Sequence, residues 1–108
     1  SSPFPRIIEC RPALSVEYDI RGTWTIEFKW NSMSQARIIW QEFTGNKDYG
    51  TWTNEDFGSG AWKVTDDTVE WTYYESGDAV YTGQISDDQT MSGTMSASSD
   101  TGTWSAVR

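Results

Sequence analysis

Thr23-Trp24-Thr25-Ile26-Glu27-Phe28-Lys29-Trp30 decides the fold. Large apolar residues occupy every second position and polar residues fill the gaps. In an extended chain successive side chains point to opposite faces, so this spacing makes one dry face and one wet one. Wound into a helix, the same four apolar residues would spread around the axis and bury no continuous stripe.

Outward from this stretch the period of two persists. Runs at 37–43, 49–53, 61–65, 68–74, 79–86, 90–97 and 102–107 are rich in Thr, Val, Ile, Trp and Tyr, the residues that suit a pleated surface. Short turn clusters separate them: Gly45-Asn46, Asp66-Asp67, Ser76-Gly77-Asp78, Asp87-Asp88 and Ser98-Ser99-Asp100, with a looser Gly58-Ser59-Gly60 after Phe57. Short consecutive joins favour pairing between sequence neighbours, and an open meander would leave two bare edges. The expected fold is therefore all-β: an eight-stranded antiparallel up-and-down meander closed into a small barrel over residues 20–108. In the run at 37–43 both faces are partly apolar. Ile38, Trp40 and Glu42 share one face, and Ile39, Gln41 and Phe43 share the other. This edge, from Ile38 to Phe43, could meet the N-terminal arm, or a second subunit to form a homo-oligomer.

Residues 1–19 read differently. They hold all three prolines (Pro3, Pro5 and Pro12), which break long helices and ladders. Phe4, Ile7, Ile8, Leu14, Val16 and Tyr18 suggest a segment that packs on something. An arm, a lid and a short helical turn fit equally well.

The chain is 36% hydrophobic, yet 15% aromatic with seven tryptophans, a composition that disordered segments lack. A few large rings supply the burial that many aliphatics usually would. The net charge of −8 repels phosphate backbones and anionic headgroups, so neither nucleic acid nor a membrane surface is an expected partner. Cys10 is the single cysteine, so no internal disulfide can form. No run approaches the ~18 apolar residues of a membrane span and no signal peptide is visible. A mature exported chain would read the same way, and the sequence assigns no compartment.

One motif recurs: Gly22-Thr23-Trp24, Gly50-Thr51-Trp52, Gly60-Ala61-Trp62 and Gly102-Thr103-Trp104. Residues two apart on a strand share a face, so each glycine is expected to give the neighbouring ring space and to let the strand bend. The first of these motifs, with Trp104-Ser105-Ala106-Val107-Arg108 closing the last strand, resembles the calycin pattern of lipocalins, fatty-acid-binding proteins and avidins. That resemblance implies a structural set of Trp24, Trp104 and Arg108, with Trp24 at a closed barrel end beneath the Arg108 guanidinium. Tyr81-Thr82-Gly83-Gln84 is also similar to an avidin strand. The chain lacks the lipocalin cysteines. No avidin-like Asn and Gly-Ser loop follows Trp24, so biotin binding is not implied. The resemblance spans residues 20–108 in architecture and a handful of positions in motif.

Chemistry is sparse. With no histidine in the chain, His-based triads, His bases and His metal ligands are excluded. Cys10, between Glu9 and Arg11, reads as an incidental thiol rather than a nucleophile. Asp66-Asp67 and Asp87-Asp88 read as solvated turns without the spacing of a calcium loop. Glu27 and Glu70 oppose the parity of Trp24 and Trp71, which points them outward. No catalytic residue, metal site or cofactor is assigned.

Two readings lead. In the first, a lipocalin-like module binds a small apolar or aromatic ligand in the barrel. Phe28, Trp30, Trp62, Trp71 and Tyr73 would wall the site, and Tyr73, Tyr81, Gln84 and Thr94 would supply polar groups where their strands face them inward. In the second, the barrel is filled by its own rings and the surface does the work of a non-catalytic interaction domain. A small barrel isomerase or cyclase is a third. An eight-stranded barrel is just wide enough for its own side chains or for one small ligand, so the first two lie physically close.

Overall fold

The computed structural model describes residues 18–75 and 79–108. Most of the N-terminal arm, with Cys10 and the three prolines, and the Ser76-Gly77-Asp78 turn lie outside the described residues. Eight strands follow in order: β1 (Gly22–Trp30), β2 (Arg37–Gly45), β3 (Tyr49–Asn54), β4 (Ser59–Thr65), β5 (Thr68–Tyr73), β6 (Val80–Asp87), β7 (Thr90–Ala97) and β8 (Asp100–Val107). Each pairs antiparallel with the next, and β1 closes on β8 from Thr25↔Val107 to Trp30↔Gly102. The fold is the closed eight-stranded meander that the alternation and the short turns require.

Strand limits shift where turn residues were expected. β4 starts at Ser59, so Gly60 lies inside a strand, β2 runs on to Gly45, and β8 starts at Asp100, two residues ahead of the expected run. Gly45 has φ 129°, a conformation that side chains rarely adopt, and it registers opposite Gly50 on β3. The Asp66-Asp67 turn between β4 and β5 places Asp66 at φ 57°, which Asp tolerates better than most residues.

Register settles the two-sided β2. Ile39 lies across from Ile26 and Gln41 from Trp24, so Ile39, Gln41 and Phe43 enter the interior. Ile38 and Trp40 stand outside at 61% and 46% exposure. Had β2 slipped by one residue, Glu42 would have been driven into the core.

The interior contains two cross-strand rows of the same design. Gly45 on β2, Gly50 on β3 and Trp62 on β4 lie in register, as do Gly83 on β6, Gly93 on β7 and Trp104 on β8. The Trp62 indole N–H donates to the carbonyls of Thr44 and Thr51, both at 3.0 Å. That of Trp104 donates to Thr82 and Thr94 at 3.2 and 3.1 Å. A β-carbon at Gly83 would lie 2.6 Å from Trp104 Cζ2. In each row the paired glycines leave a bare patch of wall on which the ring lies, and the indole's polar edge is satisfied by backbone. Trp52 does the same against Gly60, donating to Thr72 O at 3.1 Å. This corrects the expectation from Gly-x-Trp: the glycine that makes room for Trp52, Trp62 or Trp104 comes from a neighbouring strand, not from two residues earlier on its own.

Candidate functional site

The two barrel ends differ. At one, Ile20 and Trp24 are fully buried, and the Trp24 indole N–H donates to Ile20 O at 2.8 Å. The Arg108 guanidinium lies over the Trp24 ring, 4.6 Å from its centroid. It donates to the carbonyls of Asp19, Arg21 and Asp88. One side chain thereby ties the end of β8 to the entry of β1 and to the β6–β7 turn.

Above this seal the lumen is filled by rings. Trp71 on β5 lies 5.4 Å from Phe43 on β2 and 4.6 Å from Trp104 on β8, strands that are not its neighbours. It also stacks on Tyr81 at 5.1 Å with the planes 12° apart. Trp62 and Trp71 are thus enclosed by protein on all sides, at 2% and 1% exposure.

Toward the opposite end the packing loosens. Phe28, Trp30 and Tyr73 face inward against the core but are only half-buried, as is Ala97. Trp30 meets Tyr81 edge-on at 6.2 Å, and Tyr73 meets Trp52 edge-on at 4.6 Å. Together they form an aromatic mouth. Burial, with the adjacent Tyr73 hydroxyl adding to it, pushes the Tyr81 phenol well above the ordinary tyrosine range, so it stays a neutral donor.

Two residues expected among the polar lining are elsewhere. Gln84 and Thr94 are exposed on the outer wall, where Gln84 Nε2 donates to Thr68 Oγ1 at 3.3 Å. Tyr81, Gly83 and Ile85 take the inward positions of β6, and Met91, Gly93 and Met95 those of β7, so period two turns Gln84 and Thr94 out. Neither can line the interior.

The interior instead holds polar groups that the sequence reading did not nominate. Gln41 is 2% exposed and Asn54 5%. Asn54 Oδ1 accepts from the backbone N–H groups of Asp56 and Gly58, which shapes the β3–β4 loop. Among the described residues, Gln41 Nε2 has no hydrogen-bond partner. The signal was a polar residue sharing a face with Ile39 and Phe43, and it was obscured while either face of β2 could be the dry one.

Two shallow hollows of about 300 and 330 Å³ lie on the outer wall, beside Lys63 and Glu70 and beside Glu27 and Lys29 respectively. Among the described residues no three His, Cys, Asp or Glu side chains are grouped to hold a metal ion, and no helix is long and apolar enough to cross a membrane. In comparisons with known proteins, no family model, curated protein or solved structure matches the chain. The closed eight-stranded barrel is consistent with a calycin-like architecture.

Proposed function

We propose that the chain is a calycin-like binding module that takes a small, flat, mainly apolar ligand at the mouth formed by Phe28, Trp30 and Tyr73. The observation that supports this most directly is the asymmetry of the barrel. One end is sealed by Trp24 and Arg108, whereas the other presents inward-facing rings that remain half exposed. Apolar and aromatic side chains are the predominant lining of small-molecule sites. The ring system of the ligand lies against the mouth rings, because the Trp71 cluster occupies the lumen below.

Calorimetric titration with naphthalene tests this. Wild type binds, Trp30→Leu weakens binding about tenfold through lost ring contact, and Trp40→Ala on the outer wall leaves it unchanged. Absence of binding by wild type would overturn the reading.

A second reading has its own support. Ile38, Trp40 and Phe57 are exposed apolar residues on one side of the barrel, and Phe57 is 97% exposed. A self-filled barrel using this outer surface for a protein contact, including a second copy of the chain, would lose that contact on Ile38→Lys. Sedimentation of wild type and variant over a concentration series distinguishes the two readings.

A further inference from the structure

We infer that the ligand of this mouth is a neutral carbonyl compound, an aryl ketone, lactone or amide, and that Gln41 is the residue that reads its oxygen. This rests on the mouth-binding reading above. Gln41 lies on the inner face of β2, one inward position nearer the mouth than Phe43 and one below Ile39, with Trp24 on β1 and Asn54, the last residue of β3 at the mouth end, in register on either side. Its carboxamide is buried and its Nε2 donates to nothing among the described residues. Buried donors are almost always paired, and leaving one unpaired costs about 1–3 kcal/mol. The indole N–H groups of Trp24, Trp52, Trp62 and Trp104 are all paired with backbone carbonyls, and Asn54 is occupied by its own loop. Among the described residues the unpaired donor is therefore a local exception in an otherwise satisfied interior, below Ile39 and the aromatic mouth.

The chemistry that completes it is an acceptor without charge. A carboxylate brought into this interior would need a paired cation to offset its lost hydration. Arg37 shares the parity of Gln41 on β2, but it is exposed and bound bidentately to Asp56 at 2.6 and 2.7 Å. Lys63 faces Glu70 on the outer wall, and Arg108 is at the sealed end. The net charge of −8 further disfavours anions. A carbonyl oxygen on a flat ring system satisfies both the amide and the rings around it.

Three probes on one ring skeleton test the assignment: naphthalene, 2-acetylnaphthalene and 2-naphthoate, titrated calorimetrically at neutral pH. Wild type prefers 2-acetylnaphthalene over naphthalene and binds 2-naphthoate more weakly than either. In Gln41→Met, which keeps the length of the side chain without its amide, the preference for the ketone over naphthalene falls about fivefold, the scale of one neutral hydrogen bond. Taking the ratio within each protein cancels the extra area of the acetyl group. Gln41→Leu gives the same ratio should the methionine variant fold poorly, with melting temperature confirming the fold of each. A ketone preference that survives both substitutions, or tighter binding of 2-naphthoate, would overturn the inference while the mouth reading stands. If naphthalene does not bind wild type, both fall together.

Discussion

Residue by residue, the protein is governed by how a ring meets a wall. Five of the tryptophans, Trp24, Trp52, Trp62, Trp71 and Trp104, are almost wholly buried, and four of them place the indole N–H on a main-chain carbonyl. A ring can approach the sheet that closely only where side chains are missing, which makes the paired glycines as decisive as the rings. At Gly93 a β-carbon would overlap the Thr82 carbonyl oxygen and press on the Gly83 α-carbon, and neither is a flexible side-chain tip that could move aside. We expect Gly93→Ala to destabilise the barrel by about 2–3 kcal/mol or more through overpacking, with a red-shifted tryptophan emission as Trp104 is displaced. Chemical denaturation of the two proteins measures it, and a change within error would show that the row tolerates a methyl. The importance of Gly and Trp was legible in the sequence. Their pairing was not, because same-strand spacing is visible in a linear sequence whereas register between strands is set only when turns and faces agree.

At the level of elements, alternation carried most of the information. β1 could be read outright, since its polar positions hold Thr, Glu and Lys and allow one choice of inside. β2 could not: Ile38 and Trp40 are as apolar as Ile39 and Phe43, and only the neighbouring strand breaks the tie. Tyr81 and Gln84 show the opposite case. They are three apart on one strand, so period two alone forbids both from facing inward, and the outward position of Gln84 could have been deduced. The β3–β4 loop is the element with stored strain. Asn54 Oδ1 accepts from two backbone N–H groups, Phe57 N–H donates to Asn54 O at 3.1 Å, and Phe57 is held at φ 66° with 97% of its surface exposed. A bulky residue in that conformation is strained by about 1 kcal/mol, and its ring recovers nothing from burial. Phe57→Gly should therefore raise stability or leave it unchanged, read as a higher melting temperature. A clear loss would show that the ring makes a contact in solution. Loss of a partner by the same variant would favour the surface reading over the mouth.

Across the whole molecule, closure joins the two ends of the described chain, and the residues at the join are few. Arg108 bridges Asp19, Arg21 and Asp88 through their carbonyls, while Arg21 grips the Asp19 carboxylate at 2.6 Å. Donation from the Arg21 side chain, opposed by modest desolvation and reinforced by the charges of Arg21 and Arg108, lowers the Asp19 carboxyl from its usual 3.8 to about 2. A carboxyl whose folded pKa is depressed favours the folded state when ionised. Its contribution is complete above about pH 4 and disappears as the pH falls toward about 2. Asp19 and Arg21 are nearly half exposed, so solvent screening holds the effect to about 0.2–1 kcal/mol. Asp87 and Asp100 are shifted in the same direction, by the Gln89 backbone N–H and by the Ser32 hydroxyl respectively, and they add to the acid dependence of wild type and variant alike. Subtracting the stability of Asp19→Asn from that of wild type isolates the one carboxyl. The difference should be constant from neutrality to about pH 4, then shrink toward pH 2, and be smaller in high salt. A difference that does not change with pH would mean that the join is held by the Arg108 hydrogen bonds and the Trp24 ring alone, and that the ion pair beside it is only a surface contact.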